Sequence, residues 1–146
     1  MLSHISITNY TIVSSLEMEF ARGMTVITGE TGAGKSIMLD ALGLCLGDRA
    51  DPKTVRHGCD RADITATFDI SDIPAAGAWL QGRDLSGGDE CILRRVVTTE
   101  GRSRAYINGS TSTLQDCAEL GSILIDIHSQ HAHQSLLRKA VQREML

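Results

Sequence analysis

The sequence predicts an α/β fold, a core sheet with an added antiparallel β subdomain, and three observations predict it. A short apolar run, Met24 to Thr28, enters a glycine-rich turn and is followed by the apolar pattern of a buried helix from Ser36 to Leu44. Segments of apolar and polar alternation recur before and after that unit. In the second half, two strong turn signals, Thr99-Glu100-Gly101-Arg102 and Asn108-Gly109, sit beside strand-like runs.

Taken in order, Leu2 to Ile7 and Leu16 to Phe20 alternate with period 2, as strands with one buried face do, and are expected to pair ahead of the strand Met24–Thr28. After Gly47 comes a polar stretch, then a half-buried strand over Asp63–Ile70 and a short helix over Ala75–Gln81. Cys91–Val97 and Ser103–Ile107 form a hairpin, with a further tight turn at Asn108-Gly109. Thr113 is suited to cap a helix running to Glu119, because its hydroxyl can accept a hydrogen bond from a first-turn amide. The apolar run Ile123–Ile127 is expected to be a buried strand leading into His128-Ser129-Gln130-His131. The last residues, Gln142 to Leu146, read as helix with no glycine or proline stop, as in a chain cut from a longer one.

With 146 residues and 42% hydrophobic content, one core and one globular unit are expected, residues 1–146. A formal charge of −4 gives no global attraction to nucleic acid, so any such contact must come from a local patch. Cys45, Cys59, Cys91 and Cys117 are widely spread, without the short spacings of a zinc cage or redox pair, and a reduced cytoplasmic protein is expected. No apolar run approaches the roughly 20 residues that span a bilayer, and the N-terminus lacks a secretory pattern.

Gly29-Glu30-Thr31-Gly32-Ala33-Gly34-Lys35-Ser36 matches the phosphate-loop pattern G-x-x-x-x-G-K-[ST], in the required frame after a buried strand and at the start of a helix. Glycines here keep side chains away, so that successive backbone N–H groups can point at phosphate oxygens near the positive helix terminus. Lys35 would reach the β- and γ-phosphates of ATP, and the Ser36 hydroxyl would ligate Mg²⁺. The loop alone does not choose among small-molecule kinases, GTPases and ABC-type ATPases.

Three further features are weaker. Leu85-Ser86-Gly87-Gly88-Asp89-Glu90 has the look of an ABC signature, but a β-rich segment follows at once and Ser-Gly-Gly-Asp is ordinary turn chemistry, so a polar loop is expected. His128, His131 and His133 lack an acidic or cysteine partner in spacing, and polarity of the loop explains them better than a metal does. Arg94, Arg95, Arg102 and Arg104 concentrate positive charge on one hairpin, a local patch suited to DNA, with no interleaved aromatic. Arg94 and Arg95 must face opposite sides of a strand, and pairing with Glu90 or Glu100 is equally natural.

Ile7-Thr8-Asn9-Tyr10, Glu19-Phe20, the run Gly23 to Ile37, Asp40 to Leu44, Leu93-Arg94-Arg95-Val96, Gly101 to Gly109 and Ile127 to Gln134 together resemble the start of the RecN family of bacterial DNA repair proteins, relatives of the SMC proteins. The resemblance covers nearly the whole chain. It implies the N-terminal lobe of an ABC/SMC-type P-loop ATPase head built from both ends of a longer polypeptide around a coiled coil. ATP would be sandwiched between two heads in a homodimer, in a cassette serving double-strand-break repair and recombination. Nucleotide contacts would fall on Gly29, Glu30, Thr31, Gly32, Ala33, Gly34, Lys35, Ser36 and Ile37, with Ser36 and Gln130 on the metal and Lys35 and Gln130 in catalysis. Gln130 would follow a core strand and reach both metal and attacking water through its neutral amide. Ser129 stands where the family's glutamine loop has glycine, which implies a stiffer loop. The signature, the Asp-Glu pair and the coiled coil would lie outside this chain, so turnover by it alone is expected to be absent or very weak. A P-loop small-molecule kinase and an ATP-binding regulatory module without turnover are the alternatives.

Overall fold

A computed structural model of the chain describes residues 2–21, 24–28 and 34–128, with the side chains of residues 2–20 and 37–124. Seven described strands form one sheet: β1 (Leu2–Tyr10), β2 (Val13–Ala21), β3 (Met24–Thr28), β4 (Arg61–Asp69), β5 (Glu90–Thr98), β6 (Ser103–Ile107) and β7 (Ser110–Ser112). Their order in space is β3-β2-β1-β4-β5-β6-β7, with every neighbouring pair antiparallel, so the core strands and the antiparallel part run together as a single layer. Helix α1 (Gly34–Cys45) packs over β1, β4 and β5, while α3 (Leu114–His128) packs against β6 and against α2 (Pro74–Gln81).

Alternation decides which side is buried. Residues paired directly across an antiparallel ladder point to the same face, and the register lines up Met18, Ile5, Ala66, Leu93 and Ile107 in one row across β2, β1, β4, β5 and β6. All five are fully buried. A second row runs Leu16, Ile7, Ile64, Arg95 and Ala105, apolar except for the arginine. Against these rows α1 lays Ile37, Ala41, Leu44 and Cys45, and α2 and α3 add Ala76, Leu80, Cys117, Leu120 and Leu124. Each large apolar side chain so buried is worth about 1.5–3 kcal/mol relative to exposure.

Within the described residues the predicted elements hold, with shifts of a few residues at their ends, except in one place; the helix expected over residues 142–146 lies outside them. The expected strand Ile123–Ile127 is the second half of α3. A five-residue run that is apolar except for Asp126 is too short to carry a periodicity that separates a buried strand from a buried helix. The wider spacing decides: Cys117, Leu120 and Leu124 recur every three or four residues and are all buried. Gly121 looks like a helix stop, but a Cβ there would lie 2.9 Å from Leu46 Cδ2, so the missing side chain lets α3 approach the turn after α1. The cap at the other end is as expected: the Asp116 N–H donates to Thr113 Oγ1 at 3.0 Å. The short strand β7 was not foreseen beyond its turn.

Helix α1 ends in a Schellman turn, with the Asp48 N–H donating to Gly43 O at 3.0 Å and the Gly47 N–H to Leu44 O at 3.2 Å. Gly47 adopts φ +102°, and a Cβ on it would sit 2.8 Å from the Leu114 carbonyl oxygen. Gly109, at φ +84°, has open space around it. Gly47→Ala should therefore cost about 1–3 kcal/mol for the left-handed backbone plus the displacement of α3, and clearly more than Gly109→Ala. Urea unfolding followed through the single tryptophan, Trp79, measures both.

Candidate nucleotide site

The frame of the site is the junction between β3 and α1. Strand β3 pairs with β2 from Ala21↔Met24 to Glu17↔Thr28 and, among the described residues, has a neighbour on one side only. After Thr28 five residues separate it from Gly34, the first residue of α1. The amides of a helix's first turn lack partners within the helix and carry partial positive charge, and the first turn of α1 contains no acidic residue to oppose an anion there. Ile37, at the end of that turn, buries its side chain against the sheet, so any contact it makes with a nucleotide is through the backbone.

Gly29, Glu30, Thr31, Gly32 and Ala33 lie outside the described residues, as do the side chains of Lys35 and Ser36. Gln130, His131 and His133 also lie outside them. The chain approaches residue 130 from helix α3, not from the expected strand, which leaves Gln130 supported by the family resemblance alone.

The far end of α1 is held by a buried cation that sequence reasoning placed in a surface patch. Arg95 is 1% exposed. Its Nη1 donates to Leu44 O and to Asp48 O, each at 2.8 Å, and its Nη2 donates to Ser103 Oγ at 3.0 Å, while Nε has no partner. The guanidinium thus sits at the negative end of the α1 dipole and satisfies one carbonyl of its last turn, Leu44, and one of the turn that follows, Asp48. Desolvation lowers its pKa below the usual arginine value, with the neighbouring Cys117, Cys45 and Asp48 acting the other way; the group remains charged.

The other hairpin arginines lie on the opposite, open face. Arg61, Arg94, Arg102 and Arg104 line a shallow groove with Tyr106, beside the acids Asp60 and Glu100. Arg94 and Arg95 do face opposite sides, as alternation requires. The ion pair, however, is with neither Glu90 nor Glu100. Arg94 makes a two-pronged contact with Asp63, Nε to Oδ1 at 3.0 Å and Nη2 to Oδ2, because Asp63 is the diagonal neighbour on the same face of β4. An aromatic does join the set, with the Arg94 guanidinium 5.5 Å from the Tyr106 ring centre. Arg61 was missed; only the pairing Arg61↔Thr98 brings it to this surface.

The signature-like segment is a loop, as expected. No helix opens at Leu85–Asp89, and β5 starts at Glu90. Asn108 fastens it: Nδ2 donates to Leu85 O at 2.6 Å, and Oδ1 accepts from the Ile92 N–H at 2.8 Å.

A family model described as an AAA domain matches residues 4–141. The chain belongs to this AAA domain family. The DNA repair protein RecN of Vibrio cholerae serotype O1 is 52% identical over 146 residues, and RecN of Bacillus subtilis strain 168 is 41% identical over 149. Each alignment covers the whole of this chain and 26% of the relative, so the chain spans about a quarter of the length of the curated relatives it matches. Among solved structures, a chain from a study of ATP-driven dimerization and DNA-stimulated activation of SMC ATPases superposes with a TM-score of 0.66 at 18% identity, over 99% of both chains. An Smc head bound to the C-winged helix domain of ScpA also gives 0.66, at 17% identity, over 85% of this chain and 41% of the other. The recombination mediator RecF with ATP gives 0.52 at 15% identity, over 77% of this chain and 27% of the other. The fold is therefore that of ABC/SMC-type P-loop ATPase heads.

Cysteine chemistry offers a direct check on how α1 is seated. Burial pushes the thiols of Cys45 and Cys91 up to about 12, and raises that of Cys117. Since the thiolate is the reactive species, a raised pKa suppresses reaction until the pH approaches that value. At pH 8 a disulfide-exchange reagent should label the half-buried Cys59 first, with Cys45, Cys91 and Cys117 protected until denaturant is added.

Proposed function

We propose that residues 1–146 form the ATP-binding lobe of a RecN-like ATPase acting in DNA double-strand-break repair and recombination, with hydrolysis completed by a C-terminal lobe and a second head. The observation that carries this reading is the coincidence of the motif Gly29–Ser36 with the junction between the end of β3 and the start of α1, in a chain whose relatives are RecN proteins. Within the loop, the backbone amides from Gly29 to Ile37 cradle the phosphates, and Lys35 neutralises the β- and γ-phosphates. Ser36 and Gln130 hold the metal, and Gln130 orients the attacking water. When bound there, Mg²⁺ would supply positive charge beside the phosphate oxygens. An α1 first turn free of acids is compatible with both nucleotide and metal.

That β3 has one neighbour among the described residues supports the partner part of the proposal. An edge strand that carries the phosphate loop presents a row of backbone donors and acceptors to a further strand, and a C-terminal lobe of the same polypeptide is the natural source. The open face supports contact with DNA, through Arg61, Arg102 and Arg104 more than Arg94, whose charge Asp63 already balances. No described helix is long and apolar enough to cross a membrane, in keeping with a cytoplasmic site of action.

Calorimetric titration with Mg²⁺-ATP should give binding that Lys35→Ala abolishes, and hydrolysis should appear only when the C-terminal lobe is supplied. ATP turnover in the full-length protein that Lys35→Ala leaves unchanged would overturn the assignment. For the groove, Arg102→Ala with Arg104→Ala should weaken duplex DNA binding by the full-length protein without regard to sequence, and lower the salt slope by about one per lost phosphate contact. An unaltered slope in filter-binding or anisotropy measurements would exclude this face.

A further inference from the structure

Arg95 is a buried charge in the middle of an apolar row with no ion pair among the described residues, only the field of Asp48 nearby, and the nucleotide chemistry makes no use of it. Its donors go instead to the two carbonyls that close the end of α1, Leu44 O and Asp48 O, and to Ser103 on β6. The apolar contacts of Ile37, Ala41 and Leu44 with the sheet hold α1 down, but such contacts are non-directional and tolerate sliding along the helix axis. Hydrogen bonds to main-chain carbonyls do not. Cys45 adds side-chain contacts between α1 and β4, a weak bond from Sγ to Ile64 O at 3.7 Å and one with the Ala66 backbone amide. A helix of 12 residues is a rod of about 18 Å, so a shift at its last turn is delivered to its first.

We propose that Arg95 is a positioning residue for the nucleotide loop: by fixing α1 along its own axis from the C-terminal end, it sets where the helix presents Gly34, Lys35 and Ser36 to the phosphates. The inference rests on the ATP reading above. Ser103 fixes the guanidinium plane from the hairpin side, and Gly47 and Gly121 pack the turn after α1 closely against α3, so the anchor is itself rigid. A methionine would fill much of the same volume without desolvating a charge, and buried charges of this kind add geometry more than net stability. The role of Arg95 is directional.

The test is made in the full-length protein with Arg95→Met, Arg95→Lys and Ser103→Ala, by equilibrium titration with Mg²⁺-ATP and by steady-state hydrolysis. Arg95→Met removes both carbonyl bonds and should weaken ATP affinity and raise KM about tenfold, the order of one lost charge-assisted hydrogen bond, with kcat at saturation little changed. Arg95→Lys keeps the charge but not the fork, and should fall between Arg95→Met and the unsubstituted protein. Ser103→Ala leaves the bonds to α1 in place and should stay within about twofold of the unsubstituted protein. A purely structural role would lower the fraction of active protein, and hence the apparent kcat, without moving KM. If Arg95→Met does not fold, Arg95→Lys decides: a raised KM supports the proposal, and an unchanged KM overturns it. A folded Arg95→Met with unaltered ATP affinity also overturns it. If the unsubstituted protein does not bind Mg²⁺-ATP, or Lys35→Ala binds it equally well, the nucleotide reading itself fails and this inference fails with it.

Discussion

Everything that matters for function here hangs on how α1 is seated on the sheet. The helix carries the last three residues of the phosphate-loop motif, Gly34, Lys35 and Ser36, in its first turn, and the glycines at 29, 32 and 34 have no side chains with which to fix the loop's position. Precision must come from the elements that flank it. On one side β3 is held by its ladder to β2; on the other, α1 is held by Ile37, Ala41, Leu44 and Cys45 over the central strands. The central strands are rigid in turn because the apolar row Met18–Ile5–Ala66–Leu93–Ile107 crosses five of them without interruption. A change anywhere in that row is therefore felt at the site, since close-packed interiors transmit strain.

The sheet separates two kinds of chemistry by alternation alone. Arg94 and Arg95 are adjacent in sequence, yet one is half-exposed, balanced by Asp63 beside Tyr106, and the other is sealed in the core at the end of a helix. Arg102, Ser103 and Arg104 repeat the device on the next strand: the arginines line the open groove, and the serine between them turns inward to Arg95. Burying Arg95 carries a desolvation cost of several kcal/mol, offset by three hydrogen bonds and the α1 dipole, the latter worth up to about 2 kcal/mol in partly buried geometries. Such a residue contributes geometry rather than net stability.

Most of the sheet was legible in the sequence because period-2 alternation is a local property. Residues such as Ile5, Ile7, Ile64, Ala66 and Phe68 declare their face within their own strand. The phosphate loop was legible for the same reason, its meaning lying in eight consecutive residues and the strand and helix beside them. What escaped was non-local. Ile123 to Ile127 is a run with no period of its own, and becomes helix because Cys117, Leu120 and Leu124 need one common face and Gly121 admits Leu46. Arg95 looked like surface charge because nothing nearby in sequence announces that Leu44 O and Asp48 O will stand opposite it. The ion pair of Arg94 with Asp63, and the place of Arg61 in the groove, likewise exist only through the β4–β5 register.

A nucleotide site framed at the edge of a sheet is incomplete by construction. In β1, β2, β4, β5 and β6 each strand has neighbours on both sides, whereas β3, which enters the phosphate loop, has one among the described residues. An edge left in that state invites another strand, and the chemistry asks for the same thing: a phosphate loop binds and orients, but hydrolysis also needs a placed water and charge stabilisation from the far side of the γ-phosphate. On the proposed reading, residues Gly29–Ser36 supply the first set of groups, and one added lobe would supply both a neighbour for β3 and the remaining catalytic groups.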